Sequence, residues 1–165
     1  MTLLQAAAVA ATCLCSLVAG FLFAFAVVIM PGLATLGDAG LLRGFQAVDR
    51  VIQRNQPLFI VMWAGSVVAL LAVLGLGLWQ LPGAIDRGLV IVAALLYLAG
   101  VQAPTMAINV PLNNRLQPLD LAALDAASLQ QAREAFEPRW NRSNAIRTLC
   151  AILTSVALAV LLLRL

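Results

Sequence analysis

The chain has 165 residues, 63% hydrophobic and only 10% charged, with a mean hydropathy of +1.00. A soluble domain carries about 25% charged residues, so a water-facing globule is excluded and a single membrane-embedded domain over residues 1–165 is expected. The net charge of +3 rests on arginine alone, without lysine or histidine, which removes the commonest general base and metal ligand; no metal and no cofactor is expected. Nucleic acid is no partner either, because the arginines edge apolar segments instead of forming a basic face.

Four segments are long and apolar enough to cross a hydrocarbon core, which takes about 20 helical residues. They cover roughly residues 3–30, 58–78, 88–112 and 143–163. The first ends at Pro31-Gly32. It lacks a basic leader and is too long for a signal-peptide core, so it reads as a span. Cys13 and Cys15 fall within it and Cys150 within the fourth; all three read as small hydrophobes. A soft-metal clamp from the Cys-x-Cys pair is disfavoured, since the two sulfurs lie about 200° apart on a helix. Gly20-x-x-x-Ala24 and the glycines of the second segment read as close helix packing.

After the first span, Asp38 to Gln56 places Leu41, Leu42, Phe45, Val48, Val51 and Ile52 on one helical face, with Arg43, Asp49, Arg50 and Arg54 mostly elsewhere. That pattern predicts a helix lying at the membrane interface. A second loop helix is expected from Leu119 to Phe136. The fold class is therefore all-α: an integral membrane four-helix bundle with two amphipathic loop helices on one side. Eight of the arginines gather in these two loops and the adjoining helix entry, leaving Arg87 and Arg164 on the other side. The positive-inside rule then puts the loops in the cytoplasm and both termini outside.

The third span closes on PTMAINVPLNNRL, residues 104–116, with two prolines and three asparagines. Gln102, Thr105, Asn109 and Asn113 share a face, and Pro104 and Pro111 are expected to break the helix beside them. In a membrane, polar groups and broken backbone are tolerated only inside protein or along a wet cavity. The fourth span answers with Trp140, Asn141, Asn144, Arg147 and Thr148. A cation at the depth of Arg147 must pair, snorkel or face a cavity. No Asp or Glu lies in an apolar core, which argues against proton pumping by intramembrane carboxylates. Phosphate loops, nucleophile elbows and zinc motifs are absent too.

GFLFAFAVVIMPGL, Gln56-Pro57, INVPLNNRL and FEPRWNRSNAIRT together resemble the anthrone oxygenase-like family of small four-helix membrane proteins, whose many bacterial members are grouped as a domain of unknown function. The resemblance covers nearly the whole chain. It implies a bacterial inner-membrane protein and, from the fungal enzymes behind the family name, oxidation of an anthrone to an anthraquinone by O2 without a recognised cofactor. Such chemistry needs a carbanion or enolate, a base, and donors for an oxyanion. The implied catalytic residues are Arg147, Asn109 and Trp140. Asn113, Asn114, Asn141, Asn144, Gln56, Gln102 and Thr105 would bind a small hydrophobic aromatic. Asp49 and Glu137 are the candidate bases. The alternative is a non-enzymatic membrane protein that binds a lipid or apolar metabolite, or serves as a partner subunit. A void between the two polar stripes would favour a ligand, and direct contact without one would favour structure.

Overall fold

The computed structural model covers residues 1–165, and every regular element in it is helical. Four helical stretches are long and apolar enough to cross a membrane: Leu3–Ala34, Pro57–Gln80, Ala84–Leu116 and Ala126–Leu162. Together they make an integral membrane bundle. The first consists of α1 (Leu3–Ala24), a wide turn at Phe25–Ile29 and α2 (Met30–Ala34). An interfacial helix, α3 (Gly37–Gln53), leads to α4 (Pro57–Gln80). The third span contains α5 (Ala84–Tyr97), two wide turns and α6 (Val110–Leu116); α7 (Ala126–Leu162) is the fourth.

Prolines do not end these helices as expected. At Phe25–Ile29, Leu98–Gln102 and Thr105–Asn109 the backbone widens to a π turn, with N–H groups of Met30, Ala103 and Val110 bonding carbonyls five residues back. Each of these N–H groups belongs to the residue immediately before a proline: Pro31, Pro104 or Pro111. A proline ring clashes with the carbonyl four residues earlier. Widening the preceding turn moves that carbonyl aside, so the helix continues where a regular α-helix would kink or stop.

The second loop segment also differs from expectation. It is helical from Ala126 but runs without a break into the fourth span. Pro138 sits inside this helix, and both it and Glu134, whose carbonyl it leaves unbonded, are exposed. Water can therefore satisfy that carbonyl. Asp125 starts α7 by accepting the Ser128 N–H at 2.8 Å.

Two apolar cores hold the molecule. The larger lies among the four spans and includes Cys15, Val18, Leu70, Val90, Tyr97 and Leu158. The smaller joins α3 to the ends of the spans through Phe25, Phe45, Leu112, Phe136 and Trp140. Phe45 meets Phe136 and Trp140 edge-on, at centroid distances of 4.6 and 5.2 Å. So α3 does not simply lie on the bilayer. It packs on the bundle, burying Gln46 and Asp49 beside Leu41, Leu42 and Phe45, while Val51 is exposed. Gly20 is exposed and has no neighbour where a Cβ would stand, so it does not make the close helix packing expected of it. Close approach occurs at Gly100, where a Cβ would lie 2.5 Å from Cys150 Sγ.

The end carrying both termini is flush. Gln5 Nε2 donates to the Leu165 carbonyl at 3.0 Å, and Arg164 pairs with Asp86. About 20 residues from that end complete a hydrocarbon crossing, which places the opposite boundary near Phe23, Ile60, Pro104 and Ser143. The first, third and fourth spans continue well past that level, and the polar residues collect there.

Candidate functional site

At the α3 end, a cavity of about 200 Å3 opens between the first span, α3, α4, the third span and α7. Aromatic rings form much of its wall: Phe21 and Phe25 from the first span, Phe45 from α3, Phe59 and Trp63 from α4. Phe59 and Trp63 stack with centroids 5.5 Å apart. The polar lining comes from Asp49, Thr105, Asn109, Asn113, Asn144 and Arg147, with Trp140 between them.

Arg147 is 4% exposed and enters none of the protein's three ion pairs. Its Nη1 donates to Thr105 Oγ1 at 3.0 Å and its Nη2 to Asn144 Oδ1 at 2.9 Å, while Nε has no partner. The guanidinium carbon stands 5.6 Å from the centre of the Trp140 ring, a cation–π contact. Neutral neighbours thus hold the cation in place without cancelling its charge. Two of them also tend backbone beside the wide turns. Asn144 Nδ2 donates to the Leu22 carbonyl at 3.1 Å, and Thr105 Oγ1 to the Val101 carbonyl at 2.6 Å.

Asp49, 3% exposed, is the other charged group of the cavity. Its Oδ2 accepts from Gln53 Nε2 and Gln117 Nε2, both at 2.7 Å, and its Oδ1 from Asn113 Nδ2 at 2.8 Å. A carboxylate has about four lone-pair sites, which leaves one on Oδ1. Asn113 Oδ1 in turn accepts the Trp140 indole N–H at 2.9 Å, so Trp140, Asn113 and Asp49 form one directed chain. Gln46 locks the same region. Its Nε2 donates to the carbonyls of Leu116 at 2.9 Å and Leu119 at 3.1 Å, tying α3 to the end of α6 and the turn that follows it.

Seven of the expected site residues line the cavity: Thr105, Asn109, Asn113, Asn114, Trp140, Asn144 and Arg147. Three do not. Gln56 caps α4, accepting the Phe59 N–H at 2.5 Å. Gln102 lies below the cavity, its Oε1 accepting the Trp63 indole N–H at 3.0 Å and its Nε2 unpartnered. Asn141 is half-buried and points away from the cavity lining.

Several donors expected to meet an oxyanion are already engaged. The Trp140 N–H is given to Asn113, one Asn113 N–H to Asp49, and Asn109 Nδ2 to the Trp140 carbonyl at 3.4 Å. Asn109 Oδ1 accepts from Ser143 Oγ at 2.6 Å. Glu137 is bound to Arg133 at 2.6 Å and lies off the cavity. Reasoning from sequence missed Gln46, Gln53 and Gln117, although Gln46, Asp49 and Gln53 share one face of α3 and Gln117 stands one turn beyond Asn113.

No curated protein and no solved structure matches the chain. The family model described as anthrone oxygenase matches residues 46–157, a stretch that includes α3 from Gln46, α4, the third span and α7 through Arg147. The chain belongs to the anthrone oxygenase family.

Proposed function

We propose that the cavity binds a small, hydrophobic, enolisable aromatic and promotes its oxidation by O2 without a resident cofactor. The observation that carries this reading is Arg147: a buried cation with no carboxylate partner, on the wall of an apolar cavity whose other charged group is Asp49. A buried charge without an opposite partner is costly. A ligand that develops negative charge on oxygen supplies what Arg147 lacks.

The free lone pair of Asp49 Oδ1 accepts a proton from the CH2 carbon that is conjugated through the aromatic ring with the substrate carbonyl. The resulting enolate oxygen faces the Arg147 guanidinium, which stabilises it most once the charge has formed. The enolate carbon then transfers an electron to O2 and recombines with it to a peroxide. Loss of water leaves a new carbonyl, so CH2 + O2 becomes C=O + H2O. Asn109, Asn113 and Trp140 act as positioning residues: Asn113 donates to Asp49, the Trp140 ring meets the Arg147 guanidinium, and Asn109 braces the Trp140 backbone. The arginine asymmetry supports a cytoplasmic side for the loops at the α3 end, and the resemblance to the family's bacterial members supports a bacterial inner membrane.

The non-enzymatic alternative draws on the direct bonds between the stripes, notably Ser143 to Asn109 and Arg147 to Thr105. The cavity beside them weighs against a purely structural role. The test compares wild type with Arg147→Gln in detergent, by thermal shift with hydroxyanthrones and naphthols and then by O2 uptake. Stabilisation of wild type alone, together with O2 uptake, is the expected result. Ligand at 100 times its Kd adds about 2.7 kcal/mol to stability. No ligand effect on either protein and no O2 uptake would leave Arg147 structural and the enzyme reading refuted.

A further inference from the structure

The cavity has one side that no part of the chain closes. Along α5, α4 stays packed against the third span, and Ser66 Oγ meets the Tyr97 hydroxyl at 2.6 Å. Beyond Tyr97 the two helices are joined by a single hydrogen bond, from Trp63 to Gln102. Above that bond lies a slot edged by Phe59 on α4 and by Met106 and Val110 on the third span. Met106 is 67% exposed although it lines the cavity. At the top, Gln53 Nε2 reaches Asn114 Oδ1 at 3.4 Å, a polar strap between α3 and α6. The slot thus has an apolar frame, a hydrogen-bonded sill and a hydrogen-bonded lintel.

Its level is set by helix length. Phe59, Trp63 and Met106 stand about 20 residues along their spans from the flush end, which is one hydrocarbon thickness. The slot therefore opens at the boundary between acyl chains and headgroups. Arg147, about 15 residues up α7 from Leu162, sits roughly 8 Å inside that boundary at 1.5 Å per residue. A ligand entering here passes from the leaflet directly to the cation without crossing the polar strap.

We infer that the cavity is loaded sideways from the membrane, and that its ligand is an amphiphile. The head is an aromatic ring bearing an ionisable oxygen, which occupies the space between Asp49 and Arg147. The tail is a hydrocarbon chain that leaves through the Phe59–Met106 slot and stays among the lipid chains. The assignment rests on the cavity being a ligand site, as proposed above, and adds the substrate class and the route. Charge and shape agree: the cation without a carboxylate partner lies deep, the apolar frame lies at the mouth, and a volume of about 200 Å3 admits the head but not a long chain.

The test uses two coloured probes, 4-nitrophenol and 2-dodecyl-4-nitrophenol, with protein reconstituted in phosphatidylcholine vesicles. Binding is read from the nitrophenolate absorption band, after subtraction of protein-free vesicles. Met106→Trp fills the mouth, and Arg147→Gln removes the cation. The bulkier indole narrows the path of the tail, so Met106→Trp is expected to weaken the dodecyl probe relative to the short one by about tenfold, about 1.4 kcal/mol. Arg147→Gln should weaken both probes alike. If Met106→Trp leaves the ratio of the two affinities unchanged while the short probe still depends on Arg147, lateral loading is overturned and the ligand site stands. If neither probe binds wild type, the site reading falls as well. Binding of the short probe by Met106→Trp reports that this variant is folded.

Discussion

At the residue scale, the site is made of one cation and one carboxylate, each held by uncharged groups. Three carboxamide N–H groups point at Asp49. Asp49→Asn replaces an acceptor-only group with one that must turn a donor toward them, so at least one of these part-buried N–H groups loses its partner. The expected cost is about 1–3 kcal/mol, measurable by thermal unfolding in detergent. In the enzyme reading the same change suppresses O2 uptake more strongly than it weakens ligand binding. Arg147→Lys tests the other pole. It keeps the charge but cannot reproduce the fork that spans Thr105 and Asn144. Ligand affinity should fall between those of wild type and Arg147→Gln in the same thermal-shift assay. The types and spacing of Arg147, Asn109, Asn113 and Trp140 were legible in the sequence. Which of their hydrogens are already given away was not, because that depends on partners on α3 and α7 far away in the chain.

At the element scale, three wide turns, each just ahead of a proline, shape the third span and the end of the first. Pro111→Ala restores a backbone donor and removes the clash that favours the turn at Thr105–Asn109. The expected outcome is a helix at least as stable as wild type but with weaker ligand binding, since Thr105 and Asn109 rotate relative to Arg147. Thermal unfolding and probe titration on the same sample read the two effects separately. Gly100 makes the opposite case. A Cβ there meets Cys150 Sγ at 2.5 Å and Cβ at 2.7 Å, so Gly100→Ala should destabilise by about 1–3 kcal/mol. A smaller cost at Gly20→Ala, where nothing is near, is the control. At the start of α7, the hydrogen bonds from Ser128 hold the Asp125 carboxyl below its ordinary pKa. Its folded value is the lower one, so the cap stabilises above the ordinary carboxylate pKa and is lost as pH falls through the lowered value. Faster amide exchange at Ser128 and Leu129 in acid would show it. Prolines announced irregular backbone in the sequence; that each would be accommodated by a widened turn follows only from the packed bundle, which keeps the helix intact on both sides.

At the scale of the whole molecule, the spans are flush at the end with the termini and uneven at the other, where α3 and the extended helices build a second core. If the arginine asymmetry reports topology, a cysteine introduced at Ala123 is shielded from a membrane-impermeant maleimide in intact cells, and one added after Leu165 reacts. The reverse pattern would invert the assignment. Four spans and the polar end could be read from composition, spacing and hydropathy, because the bilayer fixes the length of an apolar helix. The second loop helix could not be separated from, or joined to, the fourth span by pattern alone. Pro138 reads as a boundary in sequence, whereas its exposed position lets α7 pass through it.

The sequence by itself determined a membrane helical bundle, the family through its Asn-Val-Pro-Leu-Asn and Trp-Asn-x-x-Asn-x-x-Arg segments, and the end of the bundle where polar residues gather. These are local properties, set by hydrophobic length, helical spacing and residue type. Only the tertiary structure decided that Asp49 turns inward, that Glu137 is spent on Arg133, that Arg147 keeps its charge uncompensated, and that the cavity opens beside Met106. Each of these depends on which side chains from separate spans reach one another. Helical periodicity states the face a residue occupies, but not what stands opposite it.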